Sequence, residues 1–129
     1  MSVFSKIVSG ELPAFKVAED ENHIAFLDIH PLAYGHVLVV PKNEKDYIFD
    51  YSSEEYIQLF IFAQKVAKAM DKVIDCCRIG IAVIGLEVAH AHIHLIPLNK
   101  VSDINFERPK LKFKKLEMNE IAKKIRTAI

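Results

Sequence analysis

The stretch "HAHIHLIPL" places His90, His92 and His94, three of the chain's six histidines, at alternate positions. A neutral imidazole offers one lone pair and one N–H, so such a row can ligate a metal, attack or hydrogen-bond an anion, or simply fill space. In an extended segment alternate side chains share a face, so the three histidines point one way and Ala91, Ile93 and Leu95 the other. The second set is apolar and belongs against a core. At ~3.3 Å per residue, His90 and His94 stand about 13 Å apart along a straight strand. Zinc holds its nitrogens at ~2.1 Å, so one strand cannot wrap all three rings around one ion. A neighbouring pair with a third ligand from elsewhere, such as His36, remains open as a metal site, although no acidic residue adjoins the row. Ordinary packing is a poor explanation for three imidazoles in alternation, because burial without partners is costly. The row best suits an extended anion such as a polyphosphate or a nucleotide phosphate, with one ring attacking and the others donating hydrogen bonds. His36, after Gly35 and at the head of an apolar run, could bring a fourth imidazole to the same place.

Strands and helices must hold these rings. "VFSKIVS" reads as a short helix from Val3 to Ser9, with Ser2 as cap and Gly10 as stop. "FKVAE" and "HIAFLD" read as strands joined by a polar turn, and "HVLVVP" (His36 to Pro41) as a central β-branched strand. The longest helix runs from Ser53 to Ile74. Ser52 and Glu55 form a capping box, and Tyr56, Leu59, Phe60, Ala63, Val66, Ala67, Met70 and Val73 make its apolar stripe. "RIGIAVI" (Arg78 to Ile84) and Val88 to Pro97 supply two more strands in a hairpin-like arrangement, and a last helix spans about Met118 to Ala128. Five strands with one long helix between the third and fourth define an α+β fold with a mainly antiparallel sheet.

The chain has 129 residues and is 51% hydrophobic, which suits a single domain: residues 1–109 as the core, 110–129 as a lysine-rich segment and helix. Seventeen basic residues balance seventeen acidic ones, so no net field draws the chain to nucleic acid or an anionic membrane. Lys110, Lys112, Lys114 and Lys115 read as a solvated lysine face. No apolar run approaches the ~18 residues of a membrane span, and no signal peptide is evident. Cys76 and Cys77 are neighbours, too few for a zinc cage and poorly placed to bridge each other; they are expected to be reduced fillers in a cytoplasmic protein.

"HAHIHLI" matches every position of His-φ-His-φ-His-φ-φ, with φ apolar, and together with "GHVLVVPK", "VFSKIVSGELPAFKVAED" and "IAFLDIHPLAYG" it resembles the histidine triad (HIT) family, near its phosphoramidase branch. The resemblance implies a five-stranded antiparallel sheet with helices, paired into a homodimer. It implies nucleotidyl hydrolysis or transfer at the α-phosphate of a purine nucleotide or nucleotide conjugate, with neither cofactor nor metal. His92 would be the nucleophile that carries a nucleotidyl intermediate. His94 and His36 would contact phosphate oxygens or the leaving group, and His90 would support the ring geometry. By the same resemblance Asp28 would take the ribose hydroxyls, and Phe4, Ile7, Phe26, Leu27 and Ile29 would wall the base.

Two segments depart from the family pattern. Before the triad the chain reads "IAVIGLEVAH", placing Leu86 and Glu87 where many members carry glutamine and a small hydroxyl residue. A carboxylate at Glu87 would repel phosphate unless it turns away, pairs with a base or meets a cationic leaving group. Some bacterial members hold zinc through a Cys-x-x-Cys pair near the start; Ser2 and Ser5 stand there in this chain, so that metal is not expected.

Overall fold

A computed structural model describes residues 1–129. The elements follow the order α1 (Val3–Val8), β1 (Lys16–Glu19), β2 (His23–Leu27), β3 (Val37–Pro41), α2 (Ser53–Val73), β4 (Arg78–Ala82), β5 (Ile93–Leu98) and α3 (Lys115–Arg126). Single 3-10 turns lie at Ile48–Asp50 and Val101–Ile104. The sheet has the order β1-β2-β3-β5-β4, and every neighbouring pair is antiparallel. The α+β, five-stranded antiparallel expectation is met.

The strand register explains how two faces arise from one sheet. Phe26 pairs with Leu38, and Leu38 with His94, so these three side chains share a face. Their neighbours Leu27, Val37 and Leu95 share the other. On that second face Val37, Val39, Ile93 and Leu95 pack against Leu59, Phe62, Val66 and Met70 of α2 and Ile121 and Ile125 of α3, forming the main core. Residues 110–129 are therefore no appendage, since α3 fills part of that core. The first face carries a smaller cluster of Phe4, Ile24, Phe26, Leu38 and Val40. Each such side chain contributes about 1.5–3 kcal/mol when buried. That burial holds α1 in place, because six residues are too few for a helix to persist alone.

Several boundaries and contacts differ from the sequence reading. α3 begins at Lys115 rather than Met118, three residues earlier, with the Lys114 N–H donating to the Glu117 carboxylate. The capping box on α2 is present, but the deeply buried stripe includes Phe62 and Ala69. Tyr56, Phe60, Ala67 and Val73 sit half-buried on its flank. Phe62 stacks on His23 of β2 at 5.1 Å, a long-range contact that the apolar spacing within α2 cannot register. β4 and β5 do pair, yet their connection is a ten-residue loop over 83–92, not a tight hairpin, and β5 begins only at Ile93. The triad thus spans a loop–strand junction instead of lying wholly on a strand.

Candidate active site

His94 is the one triad member inside the ladder, paired with Leu38 of β3 on one side and Ala82 of β4 on the other. His90 and His92 approach it through the loop, where Ala91 N–H donates to the Lys45 carbonyl at 2.8 Å and its side chain joins the main core. The alternation therefore survives at the level of side chains. The imidazoles of His92 and His94 lie 4.8 Å apart between centroids, and His36 stands 5.2 Å from His94. Gly35 delivers His36: its φ is +86°, a conformation that costs a side chain dearly, and an added Cβ would come within 3.0 Å of Ile74. All four rings are buried.

Backbone groups and their neighbours dictate where each ring keeps its proton. The Leu32 N–H donates to His36 Nδ1 at 3.0 Å, so the proton of the neutral ring must lie on Nε2. His36 Nε2–H then donates to His94 Nδ1 at 3.0 Å, which leaves His94 with its own N–H on Nε2. His92 Nδ1–H donates to the His90 carbonyl at 2.7 Å, since a carbonyl can only accept. His92 Nε2 consequently carries a free lone pair. His90 Nε2–H donates to the Pro41 carbonyl at 2.8 Å, and its Nδ1 accepts from the Ser2 hydroxyl at 2.7 Å.

Burial disfavours the charged form of His36, His92 and His94. Desolvation pushes His36 and His94 down to about 3, with the nearby Lys110 ammonium adding to the effect at His36. His92 is also lowered, chiefly by desolvation, against which its bond to the His90 carbonyl pulls the other way. Asp28 is raised by burial, opposed by the His30 N–H that it accepts at 2.9 Å.

Asp28 is the acidic partner that the sequence did not place beside the row. It directly follows Leu27, the last residue of β2, on the parity of Phe26, and its Oδ2 stands 3.6 Å from His36 Nε2. Ligand atoms of Asp28, His36 and His94 fall within 4.8 Å of one another, the spacing of a possible cation site. A cation there needs a lone pair on His36 Nε2, the atom to which the Leu32 N–H consigns the proton. The His36 Nε2 proton is committed to His94 Nδ1, and Asp28 stands beside this pair without a hydrogen bond to either ring.

Around the rings, Phe4 packs edge-on against His92 at 4.8 Å and His90 at 5.9 Å, and against Phe26 at 5.6 Å. Ile7 packs beside them. Leu27 is not brought to this wall: it faces the main core across the sheet. Ile29 lies past the end of β2 with 62% of its surface exposed. Ser2 and Ser5 converge with Glu44 on His90. The Glu44 carboxylate accepts from the Ser2 N–H at 2.8 Å and from the Ser5 hydroxyl, and these bonds, led by the Ser2 amide, hold it at about 2. Sequence reading paired the two serines as stand-ins for metal ligands, but Glu44 has no local signal, being brought in from the end of β3.

Two further residues stand here, Lys110, which the sequence reads as solvated surface, and Phe106, which the sequence does not single out. Phe106 packs edge-on against His94 at 4.7 Å and lies 6.4 Å from His36. The Lys110 ammonium folds back onto the Phe106 carbonyl.

The HIT domain family matches residues 9–101, nearly three quarters of the chain. The chain belongs to the histidine triad family. An uncharacterized HIT-like protein of Borreliella burgdorferi is 35% identical over 129 residues, covering 90% of this chain and 93% of its own length. The adenosine 5′-monophosphoramidase HNT1 of Saccharomyces cerevisiae is 36% identical over 96 residues, covering 74% of this chain and 61% of the yeast protein. Among solved structures, a HIT-like protein from Bartonella henselae superposes with a TM-score of 0.85 at 32% identity, over 99% of this chain and 96% of that one. A zinc-bound histidine triad protein from Mycobacterium smegmatis gives 0.81 at 29% identity, over 98% and 91%. The HIT match ends at residue 101, so Phe106 and Lys110 stand beyond it.

Proposed function

We propose that this histidine triad protein hydrolyses or transfers nucleotidyl groups at the α-phosphate of purine nucleotide conjugates, through a covalent intermediate on His92. One observation carries the reading: His92 gives its Nδ1 proton to the His90 carbonyl, so Nε2 presents a lone pair without prior deprotonation. That lone pair attacks phosphorus, the N–P bond forms, and the bond to the leaving group breaks with its electron pair. His94 Nε2–H, aligned by the chain Leu32–His36–His94, donates a hydrogen bond to the phosphate or the departing atom. The ring then bears a positive charge, which the His90 carbonyl stabilises through the Nδ1 proton. Water adds its hydroxyl to phosphorus, the N–P bond breaks, one proton is released, and the neutral ring returns with the nucleoside monophosphate set free.

Asp28, with two acceptor oxygens on the same face, suits the ribose hydroxyls, and Phe4, Phe26 and Ile7 offer an apolar wall for the base. Ile29 would meet the sugar or base only from the rim. The phosphoramidase activity named for the yeast relative supports the chemistry. Serine in place of cysteine at positions 2 and 5, and a His36 Nε2 whose proton is committed to His94, favour a reaction without resident metal. We also propose a homodimer: β4 is a sheet edge, and its Ile81 stands exposed beside Ile57 and Ile61 of α2, each at least half exposed. Two free cysteines fit work in the reducing cytoplasm. No helix is long and apolar enough to cross a membrane.

The test is turnover of adenosine 5′-phosphoramidate and diadenosine polyphosphates by the wild type and by His92→Ala. The variant is expected to lose at least about a thousandfold in kcat, the order seen when a nucleophile is removed. Undiminished turnover by His92→Ala would overturn the mechanism. A second reading, nucleotide binding without turnover, draws on Glu87, whose negative charge is felt at both His92 and Asp28. Tight AMP binding with no hydrolysis of any conjugate would favour it.

A further inference from the structure

The rings around the site form a row with an aromatic residue at each end. Phe4 abuts His92, His92 abuts His94, and His94 abuts Phe106, at centroid separations of 4.8, 4.8 and 4.7 Å. Phe4 comes from α1 and Phe106 from the segment between the turn at Val101–Ile104 and α3. That segment is pinned across the site. Leu111 N–H donates to the Pro31 carbonyl at 2.8 Å, tying it to the loop that follows Asp28. Arg108 is occupied elsewhere, donating to the Ser102 carbonyl at 2.7 Å and standing 3.4 Å from Asp103. Lys110 donates to the Phe106 carbonyl and, at 3.2 Å, to the Arg108 carbonyl, which ties its charge to the backbone of the residue whose ring touches His94.

Charge is thereby divided along the row. Lys110 acts on Asp28 and His36, and Glu87 acts on Asp28 and His92. Displacement at phosphorus proceeds in line, so a group expelled by His92 departs on the side away from it. Phe106 and Lys110 occupy the His94–His36 end.

We propose that Phe106 and Lys110 form a leaving-group subsite that favours an anionic leaving group, a phosphate chain, over an amine. The assignment rests on the nucleotidyl-transfer reading above. In the step concerned His92 Nε2 bonds to the α-phosphorus while the bond to the bridging oxygen breaks. The electron pair leaves on the β-phosphate, whose added negative charge meets the Lys110 ammonium. Phe106 contributes an apolar wall that limits water around that pair and so weakens its screening. Both residues lie outside the stretch that matches the HIT domain model, in the segment that leads into α3.

The experiment compares kcat/KM for diadenosine tetraphosphate and adenosine 5′-phosphoramidate in the wild type, Lys110→Ala, Lys110→Glu and Lys110→Arg. Lys110→Ala should lose about three- to fivefold on the tetraphosphate, as befits an exposed charge, and change less than about twofold on the phosphoramidate. Lys110→Glu should lose more on the tetraphosphate only, and Lys110→Arg should retain the wild-type ratio. Raising the salt concentration should shrink the wild-type difference. Equal effects on the two substrates, or none on either, would overturn the subsite while leaving the hydrolase reading intact. A wild type that turns over neither substrate would remove the hydrolase reading and the subsite with it.

Discussion

The chemistry of this site depends on which nitrogen holds a proton, and that is decided one hydrogen bond at a time. The carbonyl of His90 forces His92 to expose Nε2, and the amide of Leu32 forces His36 to donate toward His94. These partners are backbone atoms, so no side-chain pattern advertises them. The lowered His92 pKa has a kinetic consequence. A depressed value leaves more of the ring neutral at pH 6.5 than in a free histidine, which is half protonated there, so the form that attacks in the proposed mechanism persists further as pH falls. In a profile of kcat/KM against pH, the acid limb attributable to His92 should lie below pH 6.5. A limb centred at or above 6.5 in the wild type would show that burial does not govern this ring.

At the scale of elements, short pieces of chain must arrive at the rings with little tolerance. Gly35 is the clearest case: its left-handed φ turns the chain into β3 so that His36 faces the site, and Ile74 crowds the position where a Cβ would stand. Gly35→Ala should destabilise the fold by about 1–2 kcal/mol from the backbone alone. Because the shift is delivered to His36, turnover should fall even where the variant is fully folded. Urea denaturation beside kcat measured well below the transition would separate the two effects; unchanged stability and kcat would refute the role. The sequence showed this turn as a loop before a strand, and Gly35-His36 as a pair worth attention. The collision with Ile74, at the end of α2, became visible only in the fold.

The whole molecule presents one sheet with its chemistry on one face and its main core on the other. β4 ends the sheet, and the exposed isoleucines of α2 extend the same margin. A second copy is expected to cover this margin, so Ile61→Glu should shift the protein to monomer in sedimentation velocity while its circular dichroism stays native. If the wild type already sediments as a monomer, the dimer is refuted. The half-buried Tyr56, Phe60 and Ala67 lie along this flank, beside the deep stripe of α2. Their helical spacing predicted burial correctly in kind. It did not say that part of that surface would be left at an edge.

Sequence alone determined the parity of the triad. Alternation set its histidines against Ala91, Ile93 and Leu95, because strand side chains repeat every two residues; the family resemblance put Phe26 and Leu27 on one wall, and β2 turns them to opposite faces. The triad and its companion segments likewise determined the family. Tertiary structure decided everything that depends on residues far apart in the chain. It brought Asp28 to His36, closed Ser2, Ser5 and Glu44 around His90, laid Phe106 over His94, and tied Lys110 back onto the Phe106 carbonyl. Such contacts have no period and no local signal, since they follow from how β3, β5, α1 and the C-terminal segment are packed together. The triad's own form was settled there too: β5 starts at Ile93, so His90 and His92 meet His94 from a loop whose path is held by Lys45 and Pro41.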